Sequence, residues 1–301
     1  MSTNPNIEQL AKMREGRGFI AALDQSGGST PKALRLYGIP EDSYLGDEQM
    51  FDLVHQMRSR IITSPVFSGD RILGVILFDM TMERMIEGMG TAEYLWERKG
   101  IVPFLKVDIG LQEKSNGVQL MKPIADLSDK LSRAVHHGVF GTKMRSIIAE
   151  ADSVGVSQVV NQQFEFGDQI IGSGLVPIIE PEVDIKSASK SESEILLKKA
   201  LLDQLNSLPE SKNILLKLTL PDIPNFYREL VDHPRVIRVV ALSGGYSRNV
   251  ANDLLGKNFG VVASFSRALT EGLTVQQTQE QFDGLLDSSI ESIFLASVNK
   301  S

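Results

Sequence analysis

Apolar runs of strand length recur along this chain from near its start to beyond residue 260, and that recurrence limits its fold more than any other feature. Runs rich in Val, Ile, Leu and Phe cover residues 18–23, 72–78, 101–107, 139–145, 175–180, 213–219, 236–242 and 260–264, eight in all. The stretches between them are longer and amphipathic. In 48–62, 124–137 and 156–172 apolar residues fall three or four apart, the spacing of a helix with one buried face. Strands that alternate with helices pair in parallel through right-handed crossovers. Eight of them with no break in composition predict an α/β fold closed into a (β/α)8 TIM barrel, with residues 1–301 forming a single domain. Ile7, Leu10 and Met13 predict a short N-terminal helix over the bottom of the barrel, and 278–296 predicts a C-terminal helix. Residues 186–194 alternate Ser with charge and predict an exposed loop before a helix that starts near Ile195.

Composition narrows the function classes. With 42% hydrophobic and 23% charged residues, the chain has the make-up of an ordinary water-soluble globular protein. Lys and Arg number 31 against 38 Asp and Glu, a net charge of -7, and the cations nowhere gather into a stripe that would track phosphodiesters. Nucleic acid is therefore not an expected partner. The absence of cysteine removes disulfides, thiolate metal sites and cysteine nucleophiles together, and fits a reducing, cytoplasmic setting. No apolar stretch approaches membrane-spanning length, and Met1-Ser2-Thr3-Asn4-Pro5 has neither the basic nor the apolar region of a secretion signal, so no membrane partner is expected.

In a barrel of this kind chemistry belongs at the C-terminal ends of the strands. The chain places charges there repeatedly: Asp24 ends the first run, and Lys106 with Asp108, Lys143 with Arg145, Glu180 with Glu182 and Lys217 with Thr219 end the third to sixth. Members of each pair are two residues apart and share a face of their strand. One such pair would be a rim ion pair, but five strands ending alike depart from the branched aliphatics that fill a barrel core. Lys217 stands out because it interrupts the hydrocarbon of Ile214-Leu215-Leu216-Lys217-Leu218. A lysine so placed either snorkels its ammonium to water or, deprived of hydration, serves as a nucleophile toward a carbonyl. Three neighbouring lysines weaken one another's hold on protons, so one can attack while the others clamp an anion. Spacing alone does not choose among Lys106, Lys143 and Lys217.

Two loops then suit phosphate. Ser243, Gly244 and Gly245 follow the seventh run, and Ser266 and Arg267 follow the eighth, where backbone N–H groups, a helix start and a guanidinium can converge on an anion. A second anion site is possible at Gly27-Gly28-Ser29-Thr30-Pro31-Lys32, through Ser29 and Lys32, although Ser29 or Thr30 before Pro31 also reads as a helix N-cap. His55, His136, His137 and His233 lack metal-ligand spacing. Glu180 and Glu182 could form a glycosidase-type acid pair, which leaves the lysines unexplained. The spacing of Asp24, Asp108, Glu180 and Glu182 leaves metal binding open.

Several segments in order resemble class I fructose-1,6-bisphosphate aldolase, in its bacterial branch. They are Gly18-Phe-Ile-Ala-Ala-Leu-Asp-Gln-Ser-Gly-Gly-Ser, Gly74-Val-Ile-Leu-Phe, Phe104-Leu-Lys-Val-Asp, Gly141-Thr-Lys-Met-Arg, Val176-Pro-Ile-Ile-Glu-Pro-Glu, Leu215-Leu-Lys-Leu-Thr, Leu242-Ser-Gly-Gly and Ala263-Ser-Phe-Ser-Arg-Ala-Leu. The resemblance implies a lyase of glycolysis or gluconeogenesis that is metal-independent and needs no cofactor. It makes Lys217 the Schiff-base nucleophile, Glu180 the general acid and base with Glu182 beside it, and Asp24 the acceptor of the C4 hydroxyl proton. It also implies that Lys143, counted with the catalytic residues, joins Lys106 and Arg145 in holding the substrate and tuning the local field, that Ser243, Gly244 and Arg267 bind the C1 phosphate with Gly245 and Ser266 also on the substrate side, and that Ser29 and Lys32 bind the other phosphate. Relatives assemble as tetramers in animals and vary in bacteria, so a homo-oligomer is one expectation. Gln25 and Ala33 depart from the animal pattern, and the chain ends without the animal tyrosine. Another Schiff-base ketose-phosphate aldolase and a non-catalytic sugar-phosphate-binding protein remain as alternatives.

Overall fold

A computed structural model describes residues 5–26 and 29–300; Gly27 and Gly28 of the second anion motif, and residues 1–4 of the supposed signal-free start, lie outside the described residues. Eight strands follow one another around a barrel: β1 (Phe19–Ala22), β2 (Ile72–Leu77), β3 (Val102–Lys106), β4 (Gly141–Ile148), β5 (Val176–Val183), β6 (Ile214–Thr219), β7 (Val236–Leu242) and β8 (Val261–Ala263). Each pairs in parallel with the next. The Ala22 N–H donates to the Phe265 carbonyl at 3.1 Å, joining β1 to the segment that leaves β8. Helices fill the crossovers, and all eight runs read from the sequence are strands. β4 runs to Ile148, paired on one side with β5 as far as Val183 and on the other with a short antiparallel strand, Val118–Gln119. That strand carries no apolar run of its own, so only its partner reveals it.

The core has two parts, as alternation along the strands requires. Inward residues Ile20, Ala22, Ile76, Phe104, Ile178, Leu215 and Val240 fill the lower barrel, and outward residues such as Val75, Leu105, Ile179 and Leu216 pack against the surrounding helices. The inward parity of Phe104, Ile178 and Leu215 continues to Lys106, Glu180 and Lys217 two residues later. The charges at the top of the barrel therefore stand above a dry hydrocarbon floor.

The helix Ile7–Glu15 plugs the opposite mouth. Asn6 caps its start by accepting from the N–H groups of Glu8 and Gln9, and Met13, fully buried, enters the lower core. Arg238 of β7 donates to the carbonyls of Met13, Arg14 and Gly16 at 2.7, 2.6 and 3.1 Å, placing a cation on the carbonyl end of the helix. The C-terminal helix Gln279–Val298 opens with a capping box made by Thr278 and Gln281. No helix among the described residues is long and apolar enough to cross a membrane.

The segment 186–194 differs from its sequence expectation. The helix Lys190–Ser207 begins before Ile195, and Lys190 and Glu194 are 6% and 2% exposed. Their charges pair with each other, and Lys190 Nζ also donates to the Leu220 carbonyl at 3.0 Å and to Asp222 Oδ1 at 2.7 Å. A Ser-and-charge pattern reads as solvated surface because the partner, Asp222, comes from a distant part of the chain.

Candidate active site

The charged ends of five strands converge on Lys143. Its Nζ lies 2.7 Å from Asp24 Oδ2, 3.0 Å from Glu180 Oε2 and 3.8 Å from Asp108 Oδ2. Glu180 extends its other oxygen, Oε1, to Lys217 Nζ at 2.9 Å. Lys106 Nζ reaches Asp108 Oδ1 at 2.7 Å and the Asp108 carbonyl at 2.6 Å. Arg145 Nη1 donates to Glu182 Oε2 at 3.1 Å, and the Arg145 N–H donates to Asp108 Oδ2 at 3.2 Å. Asp24, Asp108, Lys143, Glu180 and Lys217 are all buried. Among the described residues no group of His, Asp and Glu is arranged to hold a metal ion. Asp24, Asp108 and Glu180 instead surround an ammonium.

These contacts set the protonation states. Burial alone would raise the Asp24 pKa, but the Lys143, Lys217 and Lys106 cations outweigh it and hold the carboxyl well below the usual range. Burial would likewise weaken Lys143's hold on its proton, yet Asp24, Glu180 and Asp108 raise its pKa well above that of an ordinary lysine. Lys106 goes the other way: burial, only partly offset by Asp108, lowers its pKa, and the Lys143 charge lowers it further. For Glu182 burial prevails over Arg145 and raises the carboxyl. Glu180 Oε2 sits at ion-pair distance from Lys143 without a hydrogen bond, which leaves a carboxylate oxygen beside the amines free to accept.

Above the charges lies a cavity of about 760 Å³, wide enough for a sugar phosphate. Its wall includes Asp24, Lys106, Asp108, Lys143, Arg145, Glu180, Glu182 and Lys217, and its rim includes Ser243, Gly244, Ser266 and Arg267. Gly244 and Gly245 have φ of 58° and 117°, conformations that an L side chain resists and that turn the loop sharply after β7. Gly245 is exposed and stands off the cavity wall, near Arg267. Gln25 Nε2 donates to Ser266 Oγ at 2.5 Å and ties the loop after β1 to the loop after β8.

The remaining sequence candidates fall in two groups. Ser29 and Lys32 line the cavity and are exposed, facing it from the side of the helix Thr30–Leu36. Ser29 holds the N-cap position, yet its hydroxyl donates back to the Ser26 carbonyl at 2.8 Å rather than capping the helix. Thr219, the strand partner of Lys217, is buried away from the cavity, where its hydroxyl donates to the Val183 carbonyl at 2.7 Å.

Comparison with known proteins now bears on this arrangement. The family model for fructose-bisphosphate aldolase class-I matches residues 7–223. A protein of Porphyromonas gingivalis named fructose-bisphosphate aldolase class 1 is 57% identical over 293 residues, 97% of this chain and 99% of the relative. A protein of the same name from Synechocystis sp. is 58% identical over 298 residues, 99% of each chain. This chain belongs to the class I fructose-bisphosphate aldolase family. Its fold also superposes on the aldolase of Plasmodium falciparum, solved in complex with TRAP and a small-molecule inhibitor, with a TM-score of 0.74 at 19% identity over 100% of this chain and 99% of that one.

Two features of this aldolase-family barrel escaped the sequence reading. Arg58, 1% exposed, donates to the Gln25 carbonyl at 2.5 Å and to Thr81 Oγ1 at 2.6 Å, supporting the backbone just beyond Asp24. Burial lowers its pKa to about 10, with Asp24 opposing the shift. The signal was present: Arg58 falls on the buried stripe of the helix Gly46–Thr63 with Val54, Ile61 and Ile62. The second is Lys130, buried and paired with the half-buried Asp79 at 3.0 Å in the cavity wall. Lys130 shares its helix face with Leu127, Leu131 and Ala134.

Proposed function

We propose that this protein cleaves fructose 1,6-bisphosphate reversibly into dihydroxyacetone phosphate and glyceraldehyde 3-phosphate through a Schiff base on Lys217. The observation that carries the reading is the Lys217–Glu180 contact at 2.9 Å, an amine and a carboxylate buried together at the base of a cavity rimmed by cations. The names of the full-length relatives from P. gingivalis and Synechocystis support it.

Glu180 takes a proton from Lys217 across their 2.9 Å contact, the freed amine adds to the C2 carbonyl, and Glu180 returns that proton to the carbinolamine hydroxyl, which leaves as water. The iminium so formed is an electron sink. Asp24, held as a carboxylate by its neighbours, removes the C4 hydroxyl proton; the C3–C4 bond breaks, its electron pair enters the enamine, and the aldehyde departs. Protonation at C3 and hydrolysis of the imine return the free amine. Lys143 keeps the Asp24 and Glu180 carboxylates in place. Lys106 and Arg145 hold the substrate, and Glu182 holds Arg145. Ser243, Gly244 and Arg267 grip the C1 phosphate, supported by Gly245 and Ser266, while Ser29 and Lys32 receive the other.

Borohydride reduction in the presence of dihydroxyacetone phosphate tests the reading. A mass increment on Lys217 is expected, with cleavage persisting in EDTA, and Lys217→Arg should abolish both labelling and turnover because a guanidinium offers no free amine. Failure to label any lysine overturns the mechanism, and residual turnover by Lys217→Arg moves the nucleophile to Lys143 or Lys106. Side-by-side rates on fructose 1-phosphate and tagatose 1,6-bisphosphate decide the substrate.

A further inference from the structure

Gln163 has no solvent exposure, yet it lies on the apolar stripe of the helix Ser153–Gly172 among Val159, Val160, Phe164 and Gly167. A buried amide is destabilising unless its hydrogen bonds are made. Gln163 uses both ends: Oε1 accepts the Glu180 N–H at 2.8 Å and Nε2 donates to Ser146 Oγ at 3.0 Å. Ser146 on β4 is itself fully buried and directly follows Arg145.

The place where Gln163 acts is a seam in the barrel. β5 and β6 pair at Ile178 with Leu215 and at Ile179 with Leu216, and their ladder stops there. The next residues along the two strands are Glu180 and Lys217, whose side chains meet across the opening. Pro181 follows Glu180 and has no N–H to offer. On the other side β5 continues in register with β4, Arg145 opposite Glu180 and Ser146 opposite Pro181. The backbone that carries Glu180 thus loses its β6 ladder where its side chain is needed, and a glutamine from the outer helix supplies an acceptor for its N–H.

We infer that Gln163 is a positioning residue for the aldol reaction: from outside the cavity it fixes the Glu180 backbone, and with it the Glu180 carboxylate against Lys217. The inference rests on the aldolase reading above. A glutamine retained only to fill space would be replaceable by an apolar side chain of similar size without kinetic effect. A positioning residue is not, because a small displacement of an acid–base group is magnified in the rate.

Gln163→Leu removes the acceptor at nearly constant volume, and Gln163→Glu restores one at the same reach. Gln163→Leu, checked for fold by circular dichroism, is expected to lose roughly 10- to 100-fold in kcat with KM within about threefold of wild type, and to slow borohydride-trapped imine formation by the same factor. Gln163→Glu should recover most of the lost kcat. A folded Gln163→Leu with kcat close to wild type overturns the proposal, as does a Gln163→Glu no faster than Gln163→Leu. Should Gln163→Leu not fold, Ser146→Ala decides: it frees the amide's anchor, and a reduced kcat at unchanged KM supports the proposal whereas a wild-type kcat overturns it. Absence of both cleavage and imine trapping in the wild-type protein counts against the aldolase reading instead.

Discussion

Lys106 and Lys143 are direct cross-strand partners in the register of β3 and β4, yet their protons are held with opposite strength. Lys143 is encircled by Asp24, Glu180 and Asp108 and keeps its proton beyond the ordinary lysine range. Lys106 is half-buried with Asp108 as its near carboxylate; lost hydration outweighs that carboxylate and the Lys143 charge adds to it, so its pKa falls below that range. One lysine is a fixed structural cation; the other is a titratable cation on the cavity wall.

That difference predicts the alkaline behaviour of substrate binding. The Lys106 cation is complete below its lowered folded pKa and is lost as pH rises through it, before an unperturbed lysine at about 10.4 would titrate. KM for the bisphosphate should therefore climb on the alkaline side while Lys143 still holds its carboxylates. Lys106→Arg, which stays charged throughout, should flatten that limb. If KM rises with the same midpoint in wild type and Lys106→Arg, another group is responsible.

The proposed phosphate grip rests on one backbone conformation. Gly244 has φ of 58°, and a Cβ built there would come within 2.6 Å of Ile185 Cγ2 on the loop after β5. Gly244→Ala combines an unfavourable backbone with a clash, a strain of about 1–3 kcal/mol that the loop relieves by moving. KM is expected to rise about tenfold with little change in kcat. Adding Ile185→Ala removes the clash but leaves the backbone strain, so it should recover part of the affinity. A single variant with wild-type KM, measured by steady-state cleavage, would show that the loop does not grip phosphate.

The architecture was legible because the barrel repeats one device. Each of the eight runs had to be apolar to lie between core and helices, and the inward parity that ends in Lys106, Glu180 and Lys217 can be counted from Phe104, Ile178 and Leu215. The charged cluster of the candidate site was legible for the same reason, since charges at strand ends stand out against that background. Its supports were less visible. Gln163, Arg58 and Lys130 sit on helices whose stripes are otherwise apolar, a local signal that marks a buried polar residue without naming its partner. The partners Glu180, Gln25 and Asp79 are set by tertiary packing, which spacing within one segment does not contain. Segment 186–194 failed in the same way: its charges resemble surface until Asp222 is brought against them.

That segment supplies a test of stability separate from catalysis. Burial alone would weaken Lys190's hold on its proton, but Asp222 and Glu194 outweigh it and raise its pKa. The contribution is therefore fully present below the ordinary lysine range and lost as pH rises through the raised value. Lys190→Met leaves Glu194, whose side chain is 2% exposed, without its cation. Breaking a buried pair from one side is expected to cost about 3–5 kcal/mol, which lowers Tm by on the order of 10 °C. Lys190→Met combined with Glu194→Leu should recover much of that loss, because the uncompensated charge is then gone. Lys190 lies off the cavity wall, so kcat of the folded single variant should stay near wild type. Calorimetry and steady-state rates on the three proteins check this, and a single variant as stable as wild type would mean that water screens the pair.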